Sequence, residues 1–137
     1  MYAVQAEDLE ILRQSNREVY ARIELLDSHF KAVSELAGEV ISDSYSVDSQ
    51  SIVRRTYSLD ICITENSVVS QQYSIWIDKY IRLTIGLRHN RSGEIRWYPA
   101  GIFLCSAGSY HYDAVSKTLS LSCLDLMCRH TGERGGQ

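Results

Sequence analysis

Few side chains in this sequence have the types and spacing needed to do chemistry at one site. The best metal-binding candidate is a C-x4-C-x-H cluster formed by Cys123, Cys128 and His130. A structural zinc ion usually takes four ligands and a closely spaced pair of thiolates. This cluster offers three ligands, and Cys123 occupies an inward position of a predicted strand. The pattern favours buried cysteines, so no metal or other cofactor is expected.

Acid–base and nucleophilic chemistry have no stronger support. The carboxylates Asp60, Asp78, Asp113 and Asp125 show no spacing that places two of them in one site. Serines are abundant, but the chain has no G-x-S-x-G elbow and no glycine-rich phosphate loop. No catalytic residue is therefore predicted, and the protein is expected not to be an enzyme. A small hydrolase built from scattered Ser, His and Asp residues is kept as the last alternative.

Composition narrows the class of protein further. The 137 residues are 45% hydrophobic and 23% charged, which is typical of one folded domain. A net charge of −3 gives no overall attraction to nucleic acid or to anionic lipid, so neither partner is expected. No apolar run approaches the roughly 18 residues of a membrane span, and residues 1–8 lack the basic and apolar regions of a signal peptide, so none is expected. We expect a protein made in the cytosol, with its four cysteines reduced.

The aromatic and arginine residues point to binding. Nine tyrosines against two phenylalanines suit surfaces where a ring is buried and its hydroxyl is wet. Trp76, Trp97 and Tyr98 would form a stacking platform if the protein bound carbohydrate or another small ligand. Arg55 interrupts the apolar side of its strand and is expected to reach solvent or to pair with an acid across an interface. The possible interface residues are Arg54, Arg55, Trp76, Trp97 and Tyr98.

A long hairpin over Tyr80–Cys105 organises the rest of the chain. Apolar and polar residues alternate from Ile81 to Arg88, which is the period of a strand with one buried face. The polar cluster Asn90–Gly93 predicts a turn. Pro99-Ala100-Gly101 then interrupts the returning strand and predicts a bulge.

Before and after this hairpin, the sequence predicts one helix and several strands. The helix covers Glu7–Arg17, with Leu9, Leu12 and Ile11 on its packed side. A polar linker, Glu65–Ser74, leads to the anchor Ile75–Asp78. The other predicted strands are Val19–Leu26, Phe30–Leu36, Val40–Asp48, Val53–Thr64, Tyr110–Asp113 and Thr118–Leu126.

These elements predict a mainly β (α+β) fold, either an antiparallel β-sandwich or a partly open β-barrel with one N-terminal helix. Three parts of the chain are distinguished. Residues 1–18 form an N-terminal helical segment, residues 19–128 the antiparallel β domain, and residues 129–137 a polar tail that is disordered or truncated.

The order of elements over residues 19–132 resembles the N-terminal domains of tail-tip or baseplate hub proteins of tailed bacteriophages and prophages. Four segments carry the resemblance: Ala21–Asp27, Val47–Leu59, Tyr98–Phe103 and Leu119–Met127. The resemblance implies a non-enzymatic structural protein of the virion tail, made in the bacterial host cytoplasm. It also implies trimeric or hexameric rings that contact other tail proteins. The alternative function is a β-sandwich module that binds carbohydrate or another small ligand.

Overall fold

The structure is a computed structural model that describes residues 3–36, 40–63, 79–105 and 111–131. The described residues form one α-helix, eight strands and one 3-10 helix. In chain order these are α1 (Ala6–Arg13), β1 (Val19–Leu26), β2 (Ala32–Glu35), β3 (Val40–Val47), β4 (Arg55–Cys62), β5 (Tyr80–Arg88), β6 (Ile95–Cys105), β7 (His111–Asp113), β8 (Thr118–Asp125) and the 3-10 helix Leu126–Arg129.

The eight strands form a single sheet in the order β2-β1-β5-β6-β8-β4-β3, with β7 paired to β8. Every pairing is antiparallel. The sheet does not close into a barrel, so the prediction of a mainly β, open antiparallel fold with one helix is confirmed.

The predicted hairpin is confirmed as the β5–β6 pair, whose register runs from Tyr80 opposite Leu104 to Arg88 opposite Ile95. Gly93 in the connecting turn has a φ of 74°, a conformation that glycine adopts without a steric penalty. The register shifts between Leu83 and Thr84, which face Gly101 and Pro99. Ala100 is therefore the extra residue of the predicted bulge.

The sheet has apolar clusters on both faces. The inner face, which carries Leu25, Ile81 and Phe103, holds the larger cluster, and the rings of Tyr57 and Phe103 lie 5.4 Å apart there. The outer face holds a second cluster where strand ends meet the 3-10 helix. Its buried members are Leu26, Val53, Tyr80, Leu104 and Cys128. Strands that cross both clusters bury side chains on both faces, which stabilises this part of the sheet.

The helix prediction was wrong in length, and of its three predicted packed residues only Ile11 is buried. The helix ends at Arg13, and Gln14 is already extended, with φ −60° and ψ 137°. Leu9 and Leu12 are each 46% exposed, whereas Ile11 and Asp8 are buried. Asp8 is buried because it binds strand residues described below, while Leu12 remains partly exposed at a cavity that it lines with Tyr45 and Leu87.

Three strand boundaries also differ from the predictions. Phe30 has a φ of 61°, which is incompatible with a strand, so β2 begins at Ala32. Val53 packs into the outer cluster before β4 begins at Arg55. The last predicted strand ends at Asp125, where the 3-10 helix starts. The linker Glu65–Ser74 and the anchor Ile75–Asp78 lie outside the described residues.

Part of the predicted tail belongs to the fold. Arg129 ends the 3-10 helix, and its guanidinium lies 5.2 Å from the centroid of the Tyr80 ring. In the part of the chain that the structure describes, no helix is long and apolar enough to cross a membrane.

Candidate interaction site

The five possible interface residues do not share one surface. Arg54 is exposed just before β4, and Trp76 lies outside the described residues. Trp97 and Tyr98 are half-buried neighbours on β6, and successive strand residues point to opposite faces. Trp97 therefore lies on the outer face and Tyr98 on the inner face. They cannot form a single stacking platform.

The indole ring of Trp97 packs against Gly86 and against the guanidinium of Arg22. A Cβ at Gly86 would meet the indole ring at 2.8 Å, so only glycine leaves room for Trp97 at this position. The guanidinium of Arg22 on β1 lies 4.2 Å from the ring centroid, which is cation–π geometry. One face of the indole is thus already covered by Arg22.

Tyr98 holds the helix against the inner face. Its hydroxyl donates to Asp8 Oδ1 at 2.8 Å, and Arg96 Nε lies 3.0 Å from the same carboxylate. The Gln5 backbone N–H also donates to Asp8, at Oδ2, over 2.7 Å. Arg96 reaches Glu7 at 2.7 Å. Tyr98 is therefore a structural contact of α1 with β6.

Arg55 pairs with an acid, as the sequence analysis allowed, but the acid belongs to the same chain. Its guanidinium binds Asp125 on β8 and donates from Nη1 to the Ala100 carbonyl at 2.9 Å. Strands β6 and β8 pair only over Phe103–Cys105. Arg55 therefore bridges the point where the two strands separate.

The three residues of the candidate metal cluster, which the sequence did not favour, lie in different environments. Cys123 is in the inner cluster and Cys128 in the outer one, while His130 is exposed. The Cys123 Sγ atom lies 3.6 Å from Cys105 Sγ on the neighbouring strand. Among the described residues, no group of three or more His, Cys, Asp or Glu side chains is arranged to hold a metal ion.

Ser92, His89 and Glu10 are of the residue types found in a catalytic triad. At the hairpin turn, His89 Nδ1 lies 3.1 Å from Ser92 Oγ, and Nε2 lies 3.4 Å from Glu10 Oε2 on α1. A cavity of about 310 Å³ adjoins them. The backbone N–H groups of Ser92 and Gly93 already bond to His89. These two donors are therefore not available to stabilise an oxyanion. The serine–histidine contact is a turn contact between residues three apart.

The outer face of β3, β4 and β8 differs in chemistry from the Trp97 region. Ser44, Ser58 and Ser122 lie side by side across the three strands. In the next row, Asp60 accepts hydroxyl bonds from Ser42 at 2.7 Å and from Ser120 at 2.6 Å. These bonds lower the pKa of Asp60, because they favour the charged carboxylate. This face is exposed and rich in hydroxyl groups, as expected from the serines.

The open sheet leaves β3 with one unpaired side. Asp48 N–H donates to the Arg54 carbonyl at 2.7 Å, next to the pair of Val47 with Arg55. Hydrogen-bonded and non-bonded pairs alternate along an antiparallel ladder. The N–H and C=O groups of Asp43, Tyr45 and Val47 therefore point away from β4. We call this side the β3 edge, and among the described residues no strand pairs with it.

The other end of the sheet has a shorter unpaired side. Arg88 N–H donates to the Glu18 carbonyl at 3.2 Å, so the same alternation directs the N–H and C=O groups of Val19 and Ala21 away from β5. Strand β2 pairs with β1 from Glu24 onward, and the Leu36 N–H that follows β2 donates to the Ile23 carbonyl at 2.8 Å. We call the side at Val19 and Ala21 the β1 edge. No other described strand lies beside it.

The sequence predicted a sheet with exposed edges and every strand that forms them, but not which strands would be the edges. The alternation of β3 places Val47 on the apolar side of the strand, and the structure shows that this valine is exposed. An exposed valine on the apolar side of a strand indicates that the strand has no covering neighbour.

Comparison with known proteins identifies no family. No protein-family model and no curated protein matches the chain. Among solved structures, the chain is similar to one in the Francisella PdpA–VgrG complex, half-lidded, with 11% sequence identity and a TM-score of 0.44. The match covers 83% of this chain and 18% of that chain. A similarity of this size transfers no activity, so the function is argued from the surfaces of the chain itself.

Proposed function

We propose that the protein is a non-enzymatic structural component of a phage or prophage tail tip or baseplate. In this role it joins copies of itself, as trimers or hexamers, and binds neighbouring tail proteins. The observation that carries the proposal is the eight-residue β3, paired along one side only within the described residues. An unpaired edge is a template for another strand, and proteins that stay monomeric protect it with charged side chains, proline or a bulge. Residues 40–48 contain no lysine or proline; they carry Asp43 and Asp48, and the register shifts once, between Val40 and Ser42.

The four segments that carry the resemblance to tail hub proteins support the same role. They form β1, the end of β3 through β4, the bulge of β6, and β8. All four belong to the one open sheet, so the resemblance concerns the scaffold and its edges. Such a protein would be made in the host cytoplasm and would end in the virion tail.

Self-association of the purified protein tests this proposal. Light scattering over a range of concentrations is expected to show trimers or hexamers, and electron microscopy is expected to show rings. If assembly needs a partner, the oligomer appears on addition of proteins encoded in the same tail gene cluster. A monomer at high concentration that binds none of those proteins would overturn the proposal.

The ligand-binding alternative has less support because Trp97 and Tyr98 face opposite sides of the sheet. A glycan that stacked on Trp97 from the side of Arg22 would have to displace that guanidinium. Quenching of tryptophan emission by glycans, absent from a Trp97→Phe variant, would favour this alternative over assembly.

The hydrolase alternative rests on Ser92, His89 and Glu10. We expect no hydrolysis of nitrophenyl esters, because the nearby amide N–H groups are already bonded and Glu10 is exposed. Ester hydrolysis that disappears in a Ser92→Ala variant would show that the protein is an enzyme.

A further inference from the structure

We infer that Cys105 and Cys123 are a site of oxidation, where a disulfide forms between β6 and β8 when the protein meets a small disulfide such as glutathione disulfide. The two residues lie directly opposite each other in the β6–β8 ladder. Their Sγ atoms are 3.6 Å apart, and both side chains belong to the inner cluster. The inference requires neither the proposed tail function nor self-association.

The hydrogen bonds of the sheet show which kind of pair the two cysteines form. Just beyond the last pair of β4 with β8, the Ile63 N–H donates to the Lys117 carbonyl at 2.7 Å. Hydrogen-bonded pairs recur at every second position of an antiparallel ladder, so Tyr57 and Cys123 are also hydrogen-bonded to each other. The backbone N–H and C=O of Cys123 therefore point toward β4 and away from β6.

Cys105 and Cys123 consequently form a non-hydrogen-bonded pair, the kind in which opposite side chains are closest. The Cα atoms of such pairs are about 4.5 Å apart, which lies within the range of about 4.4–6.8 Å that disulfides span. The Sγ atoms have to approach from 3.6 Å to the disulfide bond length of about 2.0 Å. Small rotations about the two Cα–Cβ bonds bring them together, with no change in strand register.

The reaction consists of two successive thiol–disulfide exchanges. Cys105, the last residue of β6, is 6% exposed and Cys123 is 1% exposed, so Cys105 reacts first. Its thiolate attacks one sulfur of glutathione disulfide, which forms a mixed disulfide and releases one glutathione thiolate. The Cys123 thiolate then attacks the Cys105 sulfur, which forms the cross-strand bond and releases the second glutathione. The two cysteines lose two protons and two electrons, and these leave with the two glutathione molecules as thiols.

The disulfide would fix the end of the β6–β8 contact that lies away from Asp125. The two strands pair over three residues, with Phe103 opposite Asp125 at one end and Cys105 opposite Cys123 at the other. The Arg55 guanidinium binds Asp125 at the first end. In a reducing cytosol the cysteines remain thiols, whereas in oxidising surroundings outside a cell the second end becomes covalently linked.

Peptide mapping after oxidation tests the assignment. The folded protein is incubated with glutathione disulfide and denatured, its remaining thiols are alkylated, and trypsin then cleaves after Lys117, between the two cysteines. We expect the peptide that contains Cys105 to be disulfide-linked to the peptide that contains Cys123. The oxidised protein should run as a single chain on a non-reducing gel, with two of its four thiols lost.

Two variants separate this pair from the other cysteines. Cys128 lies in the same tryptic peptide as Cys123 but in the outer cluster, so Cys128→Ala is the matched control and should still form the cross-link. Cys123→Ala should form no cross-link. Circular dichroism of the reduced proteins shows whether each variant is folded. If Cys123→Ala does not fold, Cys128→Ala still identifies the linkage, because Cys123 is then the only cysteine in its peptide.

Urea unfolding measures what the disulfide does to stability. A cross-link between residues 18 positions apart restricts the unfolded chain. The urea midpoint of oxidised wild type should therefore exceed that of reduced wild type by about 1 M. Cys128→Ala should show the same shift, and the midpoint of Cys123→Ala should not respond to the oxidant.

Four free thiols after oxidation would overturn the inference and show that the 3.6 Å contact is only a weak hydrogen bond between thiols. A linkage to Cys128, a linkage between two chains, or a glutathione adduct that stays on Cys105 would also overturn it. A disulfide that did not raise the urea midpoint would show that it does not fasten β6 to β8. None of these outcomes bears on self-association, which light scattering tests separately.

Discussion

Two carboxylates, Asp8 and Asp125, are buried in similar settings but hold different parts of the molecule. They are 1% and 5% exposed, and they are the buried charged side chains among the described residues. Each lies at the start of a helix, and each binds an arginine from a strand, Arg96 for Asp8 and Arg55 for Asp125. A buried carboxylate is stable only when it is paired and hydrogen-bonded, and both meet this condition.

The difference lies in what each pair joins. Asp8 connects α1 to β6, and a helix of eight residues has little stability without such packing. Asp125 connects β8, through Arg55, to β4 and to the Ala100 carbonyl of β6. It also accepts the Met127 N–H at 3.3 Å at the start of the 3-10 helix. One pair attaches an accessory helix, and the other holds β4, β6 and β8 together where β6 and β8 pair over three residues.

The largest expected effect is therefore at Asp125. We expect Asp125→Ala to lower the free energy of unfolding by about 2–4 kcal/mol, because it breaks a buried ion pair and leaves Arg55 without its partner. The figure is at the lower end for buried pairs because the Arg55 side chain is 40% exposed. Urea unfolding followed by circular dichroism measures it. The control Asp48→Ala removes an exposed turn carboxylate and should cost well under about 1 kcal/mol. Equal losses in the two variants would show that the Arg55–Asp125 pair does not hold β4, β6 and β8 together.

The second prediction concerns Asp8: the stability that its carboxylate contributes should depend on pH. The Gln5 N–H lowers the pKa of Asp8; burial opposes this, and Tyr98 and Arg96 lower it further. A depressed carboxyl pKa gives stability that is present above the ordinary value, 3.8, and is lost as pH falls below it. Wild type should therefore exceed Asp8→Asn in stability at pH 7, and the gap should narrow below about pH 4.

Unfolding midpoints of wild type and Asp8→Asn between pH 7 and pH 3 test this dependence. The control is Asp48→Asn, whose exposed carboxylate accepts the Gln50 N–H. A gap between wild type and Asp8→Asn that stays constant over the whole range would contradict the assignment.

The sequence predicted the strands because their signals are local. Alternation from Ile81 to Leu87, a turn glycine at position 93 and a proline at position 99 determine the β5–β6 hairpin within 26 residues. The opposite orientations of Trp97 and Tyr98 followed from the same alternation. Treating the two as one platform was therefore an error that the sequence itself could have prevented.

The helix face and the role of Arg55 depended on contacts between distant residues. Asp8 is buried by Tyr98, 90 residues away, and Arg55 binds Asp125, 70 residues away. A pattern of apolar residues places aspartate on the solvent side of a helix and therefore pointed to Leu9 and Leu12. Only the fold brings the tyrosine and the arginines to these carboxylates.

The smallest expected effect is that of Tyr98→Phe, which keeps the ring and removes only the hydroxyl. The loss in free energy of unfolding should be about 1 kcal/mol, the usual net contribution of one hydrogen bond. Arg96 and the Gln5 N–H still hold the carboxylate, so the helix should remain in place. Tyr112→Phe, at a half-exposed tyrosine of β7, should change stability hardly at all. If Tyr98→Phe lowered the free energy of unfolding as much as Asp125→Ala does, the attachment of α1 would contribute as much stability as the Arg55–Asp125 pair. The two carboxylates would then have the same structural importance.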